Sequence, residues 1–277
     1  MAEPGFDRVA FTRQLRTRRL GCALFVRGEV DSTNDEAWTL AQGGVGDGTC
    51  VVADTQTRGR GRHGRAWHTT PGRALAMSLV LHPGCERAAL ASAPLVAGVA
   101  LAQALETLGV PAQLKWPNDL LVGGRKLSGI LVECRRDAQG SEIVIMGVGV
   151  NVAQRAEDFP PELREIATSM ALAGSDATRE QVAAGFLNAL EPVWDQHQEG
   201  DPRRALDAWR ARATFWGQAV TVATPTGMVT GVARDLDERG GLIVEDESGR
   251  RVTVYAGDME LGESPDTVEP RDPRTIA

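Results

Sequence analysis

The chain has 277 residues, 42% of them apolar and 24% charged, with a formal net charge of −7. That composition is globular and excludes a disordered polyelectrolyte or a fibrous repeat. The acidic balance sets the surface as a whole against nucleic acid and anionic lipid, and the length allows one large domain or a medium one with a small companion. No apolar run reaches the ~20 residues of a bilayer span, and "MAEPGFDRVAFTRQLRTRR" lacks the uninterrupted apolar core of a secretory signal, so a cytoplasmic location is expected. Cys22, Cys50, Cys85 and Cys134 stand singly with no C-x-x-C pair, and the four histidines show no H-E-x-x-H spacing. A disulfide frame or a protein-held zinc is therefore not expected.

In chain order, "ALFVRGEV" predicts a strand from Ala23 to Val30, followed by a helix that Ser32 or Thr33 caps and whose first turn Asp35 and Glu36 favour. "TCVVADTQT" predicts a strand over Thr49–Thr57, and the alternation of Leu75, Met77, Leu79 and Leu81 predicts another. Leu95, Val99, Ala102, Leu105 and Leu108 then form one helical stripe between Pro94 and Gly109. "QLKWPNDLLVGGRKLSGILVEC" reads as strand, Pro-Asn turn, strand, a Gly123-Gly124 hairpin and a strand from Lys126 to Cys134. "EIVIMGVGVNV" adds a strand whose Gly147 and Gly149 admit a close approach to the backbone. Two helices are expected over Arg179–His197 and Pro202–Ala213, the second capped by Asp201. Four or five short strands from Gly217 to Leu261 predict a small barrel. The Pro- and acid-rich tail predicts disorder. The expected architecture is an α+β domain with a mixed or antiparallel sheet over residues 1–215, a β-barrel domain over 216–262, and a tail over 263–277.

Charge is distributed unevenly along this plan. From Asp235 to the end there are twelve acidic and five basic residues, which leaves the first 234 residues neutral, yet residues 54–67 carry Arg58, Arg60, Arg62 and Arg65 against Asp54 alone. Gly59, Gly61 and Gly64 separate those arginines. Glycine permits close approach of a ligand, and guanidinium forks match carboxylate and phosphate. Read alone, the segment is either a solvated basic loop or an anion site whose mutual repulsion leaves it mobile until a ligand arrives. The P-loop order is absent, and a Rossmann fingerprint needs a helix where Trp67 and more loop follow. Lys115, Asn118 and Asp119 at one turn, Lys126 with Ser128 and Gly129 at the next, and Asn151 at the end of "GVGVN" are polar strand ends that together suggest one shared cleft.

The segments "DSTN" (31–34), "QTRGRGRHGRAW" (56–67), "KWPNDL" (115–120), "KLSGILVE" (126–133) and "GVGVNV" (147–152), in this order, resemble the bacterial biotin protein ligases of the biotin/lipoate ligase superfamily. The resemblance implies a fold related to class II aminoacyl-tRNA synthetases with an SH3-like C-terminal barrel. It implies ATP-dependent ligation of biotin to a lysine of a biotin carboxyl carrier domain through biotinyl-5'-AMP, releasing pyrophosphate and then AMP, with Mg²⁺ accompanying ATP. Lys126, Arg62 and Asp119 are then the catalytic candidates. Ser32, Thr33, Asn34, Gln56, Gly59, Arg60, Arg62, Trp67, Lys126 and Gly129 are implied to meet biotin. Arg60, Arg62, Arg65, Trp67, Lys115, Asn118, Asp119, Lys126 and Asn151 are implied to meet the adenylate. Asp119 either orients the incoming lysine or approaches Mg²⁺, and Trp67 is either apolar wall or loop anchor.

Three other readings stand beside this one. A DNA-binding repressor is not expected, because the residues before Ala23 are too few for a winged helix-turn-helix. A lipoate or octanoate ligase would share the adenylation chemistry. A non-catalytic biotin-binding protein would have no need of both Arg62 and Lys126. Pairing of two copies through sheet edges is open, His63 has no functional reading, and residues 153–174, "AQRAEDFPPELREIATSMALAG", leave the cover of adenine unassigned.

Overall fold

The computed structural model describes residues 5–84, 87–137 and 140–262. Cys85 and the tail beyond Gly262 lie outside them. Seven strands form one sheet in the order β1-β2-β3-β7-β6-β5-β4. They are β1 Leu24–Val30, β2 Thr49–Gln56, β3 Ala74–Leu81, β4 Gln113–Lys115, β5 Asp119–Val122, β6 Arg125–Arg136 and β7 Glu142–Asn151. β1 and β2 run parallel and every other pair antiparallel, so the sheet is mixed, as the sequence predicts. The parallel pair needs a crossover, and the helix that begins behind "DSTN", α2 Thr33–Gln42, supplies it.

β3, inside the sheet between β2 and β7, is buried along its whole length because helices and side chains cover both its faces. On one side Leu75, Met77, Leu79 and Leu81 pack with α3 Ala93–Thr107 and α4 Arg179–Gln198 into the main core. On the other, Val80 meets Ala37 and Ala41 of α2 together with Val51, Ile143 and Ile145. Removing each such Leu or Met from water contributes about 1.5–3 kcal/mol. The stretch Ala89–Thr107, 19 residues with mean hydropathy 1.5, is apolar and long enough to span a bilayer, but 72% of it is buried inside the protein. It is the central core helix, hydrophobic all round because it is enclosed all round.

Three details differ from the sequence expectations. A short N-terminal helix, α1 Arg8–Gln14, is capped by Asp7, whose carboxylate accepts from the Val9 and Ala10 amides; Phe11 is its one buried residue, too little to leave a periodic signal. Ser32 is the N-cap of α2 by backbone geometry but makes no side-chain cap; the Thr33 N–H donates instead to Gln56 Oε1 at 2.8 Å. α5 Arg203–Arg210 has Pro202, not Asp201, at its N-cap position, while Asp201 one residue earlier still accepts from the Arg203 N–H at 3.3 Å.

The C-terminal region is a five-stranded antiparallel sheet in the order β11-β10-β9-β8-β12, formed by β8 Ala219–Thr224, β9 Gly227–Leu236, β10 Leu242–Glu245, β11 Arg251–Val254 and β12 Asp258–Leu261. β11 and β12 end this strand order among the described residues, and the sheet is the small C-terminal β domain that the sequence predicts as a barrel. Its apolar face is continuous with the main core through Val220, Val222, Leu242 and Met259. Phe215 stacks edge-on to Trp209, and Trp116 Nε1 donates to Gly240 O at 3.1 Å across the junction.

One core residue ties this packing to pH. His197, 1% exposed at the end of α4, leans on Trp194, and neither ring nitrogen has a hydrogen-bond partner among the described residues. Burial pushes its pKa down from 6.5 to about 4. In that window the unfolded chain binds the proton and the native one does not, so stability falls as pH drops from 6.5 toward 4. The expected loss approaches about 1.4 kcal/mol per pH unit. Urea unfolding at pH 7 and pH 5 should show that slope in the wild type and its reduction in His197→Leu; equal slopes in both would remove His197 as the cause.

Candidate active site

One cleft of about 290 Å³ on the α2 face of the sheet gathers almost every residue singled out from the sequence. Ser32, Thr33, Asn34, Gln56, Arg60, Arg62, Arg65, Trp67, Lys115, Asn118, Asp119, Lys126, Gly129 and Asn151 all line it. The exception is Gly59. A Cβ there would lie 2.3 Å from Trp67 O, so Gly59 is glycine in order to let its own loop close, and it does not line the cleft.

The basic segment is a small hairpin. Trp67 N donates to Gly59 O at 2.9 Å, Gly61 N to Arg65 O at 2.7 Å, and Arg60 bridges Ala66. His63 at φ +54 and Gly64 at φ +75 turn it back. Two successive left-handed residues are what a tight hairpin requires, and His is among the few non-glycine residues enriched there. That supplies a backbone reason for His63, for which the sequence offers none.

The expected self-repulsion of this loop is relieved by acids of the chain itself. Arg58 pairs with Asp31, whose carboxyl is held below its usual range by hydrogen bonds from Arg58 and Thr57. Arg60 reaches Asp35 at 2.7 Å and Glu133 at 3.2 Å. Arg65 meets Asp258 of β12 at 2.5 Å, with Arg62 and His63 at 3.6 and 3.8 Å from the same oxygen. Arg62 also donates to Gly257 O at 3.0 Å and to Asn118 Oδ1 at 3.3 Å. Burial lowers the Arg62 pKa while Asp258 and Asp119 oppose that, and a guanidinium in this setting stays charged.

β5 and β6 set the opposite wall. Lys126 Nζ lies 2.5 Å from Asp119 Oδ1, and the Lys126 backbone is clamped by Ile166 O and Thr168 N at 2.8 and 2.9 Å. Asn118 Nδ2 donates to Ile130 O at 2.8 Å, fixing the turn that faces Arg62. The clamp brings the segment left unassigned from the sequence to the cleft, where Phe159, Leu163, Ile166 and Ala167 supply an apolar rim. Asn151 is less available: its Nδ2 donates to Thr168 O, and its Oδ1 accepts from Gln154, both at 2.9 Å.

At the other end the floor is bare backbone. A Cβ on Gly147 would lie 2.2 Å from Asn34 Oδ1, and one on Gly149 2.4 Å from the Trp67 ring. The approach predicted at these glycines is therefore made by the protein's own side chains. Trp67 is at once loop anchor and cleft wall. Asn34, 4% exposed, is engaged at both ends, accepting from Ser78 Oγ at 2.7 Å and donating to Glu133 Oε2 at 2.8 Å. Gln56 Oε1 takes both the Thr33 N–H and, at 3.1 Å, its hydroxyl, which leaves Gln56 Nε2 as a donor and the Ser32 hydroxyl on the cleft wall. Ser78 and Asp258 carry no motif signal of their own, and Glu133 closes the segment "KLSGILVE" without a role being assigned to it; Ser78 is hidden in an apolar strand, and Asp258 lies far along the chain in the C-terminal sheet.

Five Arg or Lys residues line the cleft against two carboxylates, Asp119 and Asp258, which suits a ligand of two or three negative charges. Among the described residues no group of three or more His, Cys, Asp or Glu forms a metal cage. The Trp67–Gly149 contact also makes a prediction. Gly149→Ala should force the indole off the sheet and lower unfolding stability by about 1–3 kcal/mol, as overpacking does, in urea denaturation. A loss below about 0.5 kcal/mol, the range of ordinary surface substitutions, would deny that contact.

Comparison with known proteins agrees with this geometry. Residues 28–151 match the Biotin/lipoate A/B protein ligase family, and residues 215–262 match the biotin protein ligase C-terminal domain. The chain is 37% identical over 259 residues to biotin--[acetyl-CoA-carboxylase] ligase of Mycobacterium tuberculosis, covering 89% of this chain and 94% of that protein. It is 35% identical over 250 residues to the bifunctional ligase/repressor BirA of Bacillus spizizenii, covering 90% of this chain and 77% of that one. The biotin protein ligase from Aquifex aeolicus, solved in complex with biotin and ATP, superposes with a TM-score of 0.76 at 31% identity, over 87% of this chain and all of that one. With these matches spanning most of the chain, and with the cleft built largely on the matched residues, the chain belongs to the biotin protein ligase family.

Proposed function

We propose that this chain joins biotin to ATP as biotinyl-5'-AMP and then passes the biotinyl group to a lysine of a carboxyl carrier domain, that of acetyl-CoA carboxylase by analogy with its relatives. The observation that carries this reading is the convergence of two cations from distant segments on neighbouring residues of one turn, Lys126 on Asp119 and Arg62 on Asn118. In the first step a carboxylate oxygen of biotin attacks the α-phosphorus, and the bond to pyrophosphate breaks. Two anions must meet for this, and Lys126 and Arg62 supply the positive charge that permits it. The Ser32 hydroxyl, the Thr33 hydroxyl and Gln56 Nε2 match the one acceptor and two donors of the ureido head, and Trp67 and Gly129 give the apolar length of biotin a wall. Lys115, Arg60 and Arg65 add charge for the nucleotide, while Phe159, Leu163 and Ile166 offer an apolar cover for adenine. Asp119 and Asp258 are the carboxylates of the cleft lining that would approach a Mg²⁺ ion accompanying ATP, which would supply charge neutralisation at the phosphates.

In the second step the lysine amine attacks the acyl carbon, and AMP leaves with the electron pair. Once Lys126 turns to the adenylate, Asp119 is free to orient that amine and take its proton. Pyrophosphate exchange into ATP, run with biotin, lipoate, octanoate and no acid, tests the first step without an acceptor protein. Biotin-dependent exchange is expected; exchange with lipoate or octanoate alone would keep the chemistry and replace the acid, and none at all would defeat the ligase reading.

Two substitutions divide the roles. Lys126→Ala is expected to lower exchange by about 100-fold or more, the scale of losing one charge-stabilising donor. Near-normal turnover would remove Lys126 from the chemistry. Arg62→Ala should lose the formed adenylate to water about tenfold faster, because hairpin closure excludes solvent. Unchanged retention would assign Arg62 elsewhere.

A further inference from the structure

The period-2 pattern of β6 sends Leu131, Glu133 and Arg135 to the α2 face, where Arg135 lies 5.1 Å over the Trp38 ring. Glu133 is where two parts of the cleft meet. Its Oε2 accepts from Asn34 Nδ2 at 2.8 Å and from Arg60 Nη2 at 3.2 Å, and its Oε1 accepts from Arg135 at 3.1 Å. Behind Asn34 the hydrogen bonds continue through Ser78 Oγ, 2.7 Å from Asn34 Oδ1, to Thr33 Oγ1 at 2.8 Å and on to Gln56. Ahead of Arg60 lies the hairpin, with Asp35 the second anion on the same guanidinium nitrogen. Arg60 Nε is buried with no hydrogen-bond partner among the described residues, so the guanidinium is held there through its outer nitrogen. Gly147 leaves Asn34 no slack, since its carboxamide rests directly on the strand.

We propose that Glu133 is a positioning residue that links the polar end of the cleft, at Thr33, Asn34 and Gln56, to Arg60 and thereby to the arginine hairpin. This rests on the ligase reading for the identity of the ligand at that end, but the Glu133–Arg60 link itself does not. A carboxylate suits the position because all three of its neighbours are donors; an amide would turn an NH₂ toward at least one of them. Fixing the polar end with a ureido group holds Thr33 and Gln56, steadies Asn34 and keeps Glu133 aimed at Arg60. The hairpin is thus ordered for the second, anionic ligand before that ligand binds. Two sites joined through shared partners have a coupling free energy, and typical couplings change affinity by about fivefold or more.

The test is site-specific tryptic cleavage after residues 58–65, mapped by mass spectrometry, in wild type, Glu133→Gln and Glu133→Asp, with and without biotin. Thermal melting of each serves as the folding control. In the wild type, biotin should slow cleavage in this hairpin by about fivefold. Glu133→Gln should be cut there about fivefold faster without ligand and gain less than about twofold protection from biotin, with other sites unchanged. Glu133→Asp, which keeps the charge, should recover part of both effects. Hairpin cleavage in Glu133→Gln that matches the wild type, with and without biotin, overturns the proposal. So does faster cleavage spread over the whole chain, which marks a merely structural role. Should Glu133→Gln not fold, Arg60→Gln removes the other end of the same contact and must release the hairpin alike, read at the three remaining sites Arg58, Arg62 and Arg65; unchanged rates at those sites also overturn it. If biotin protects nothing in the wild type and supports no exchange, the ligase reading fails, while the ligand-free cleavage rates still decide the link between Glu133 and Arg60.

Discussion

With no side chain at Gly147 or Gly149, β7 presents bare backbone at the middle of the sheet, and the side chains above it lie directly on the strand. The carboxamide of Asn34 occupies one of these places and the indole of Trp67 the other. The first fixes the start of α2 against the sheet; the second fixes the end of the arginine hairpin. Both walls of the cleft therefore take their height from two absent methyl groups. Burial of a polar amide at such a position is tolerated only with its hydrogen bonds made, which is why Ser78 and Glu133 stand where they do.

Electrostatics then decides how the hairpin can rest. Four arginines in eight residues would drive a glycine-rich loop apart, yet each of them has an acid from elsewhere in the fold: Asp31, Asp35 with Glu133, and Asp258 for two. Exposed pairs of this kind contribute little to stability. Their effect is on where the guanidinium groups point. The loop is thus supplied with counter-charges that an anionic ligand would have to displace, and its cations already stand near the cleft.

Much of this was legible from sequence where the signal is local. Leu75, Met77, Leu79 and Leu81 alternate, and the strand is there; the stripe from Leu95 to Leu108 follows a helical period, and α3 is there. The polar strand ends converge on one cleft because strands of one sheet bring their ends together. What was not legible depends on distance along the chain. Nothing near Asp258 says that it will meet Arg65, almost two hundred residues earlier, and Ser78 reads as a polar interruption in an apolar strand. Residues 153–174 lack period and motif, and their place at the rim comes from two backbone hydrogen bonds to Lys126. Ser32 shows the limit of local rules from the other side. It occupies the N-cap its residue type favours, but Gln56, 24 positions away, satisfies the helix amide and leaves the serine hydroxyl to the cleft.

Asp258 opens β12 and Gly257 stands just before it, and through them the C-terminal sheet reaches into the cleft as a further wall. Its apolar face is continuous with the main core, so the two regions share one interior while one of them contributes charge to the other's ligand site. The consequence concerns modularity. An exchange of this small domain between relatives would transplant a counter-ion along with a sheet, and the graft would function only where the incoming strand set a carboxylate at the height of the recipient's arginines. The start of the C-terminal match at residue 215 is thus a seam in the chain and not in the chemistry, and the two regions are constrained to change together.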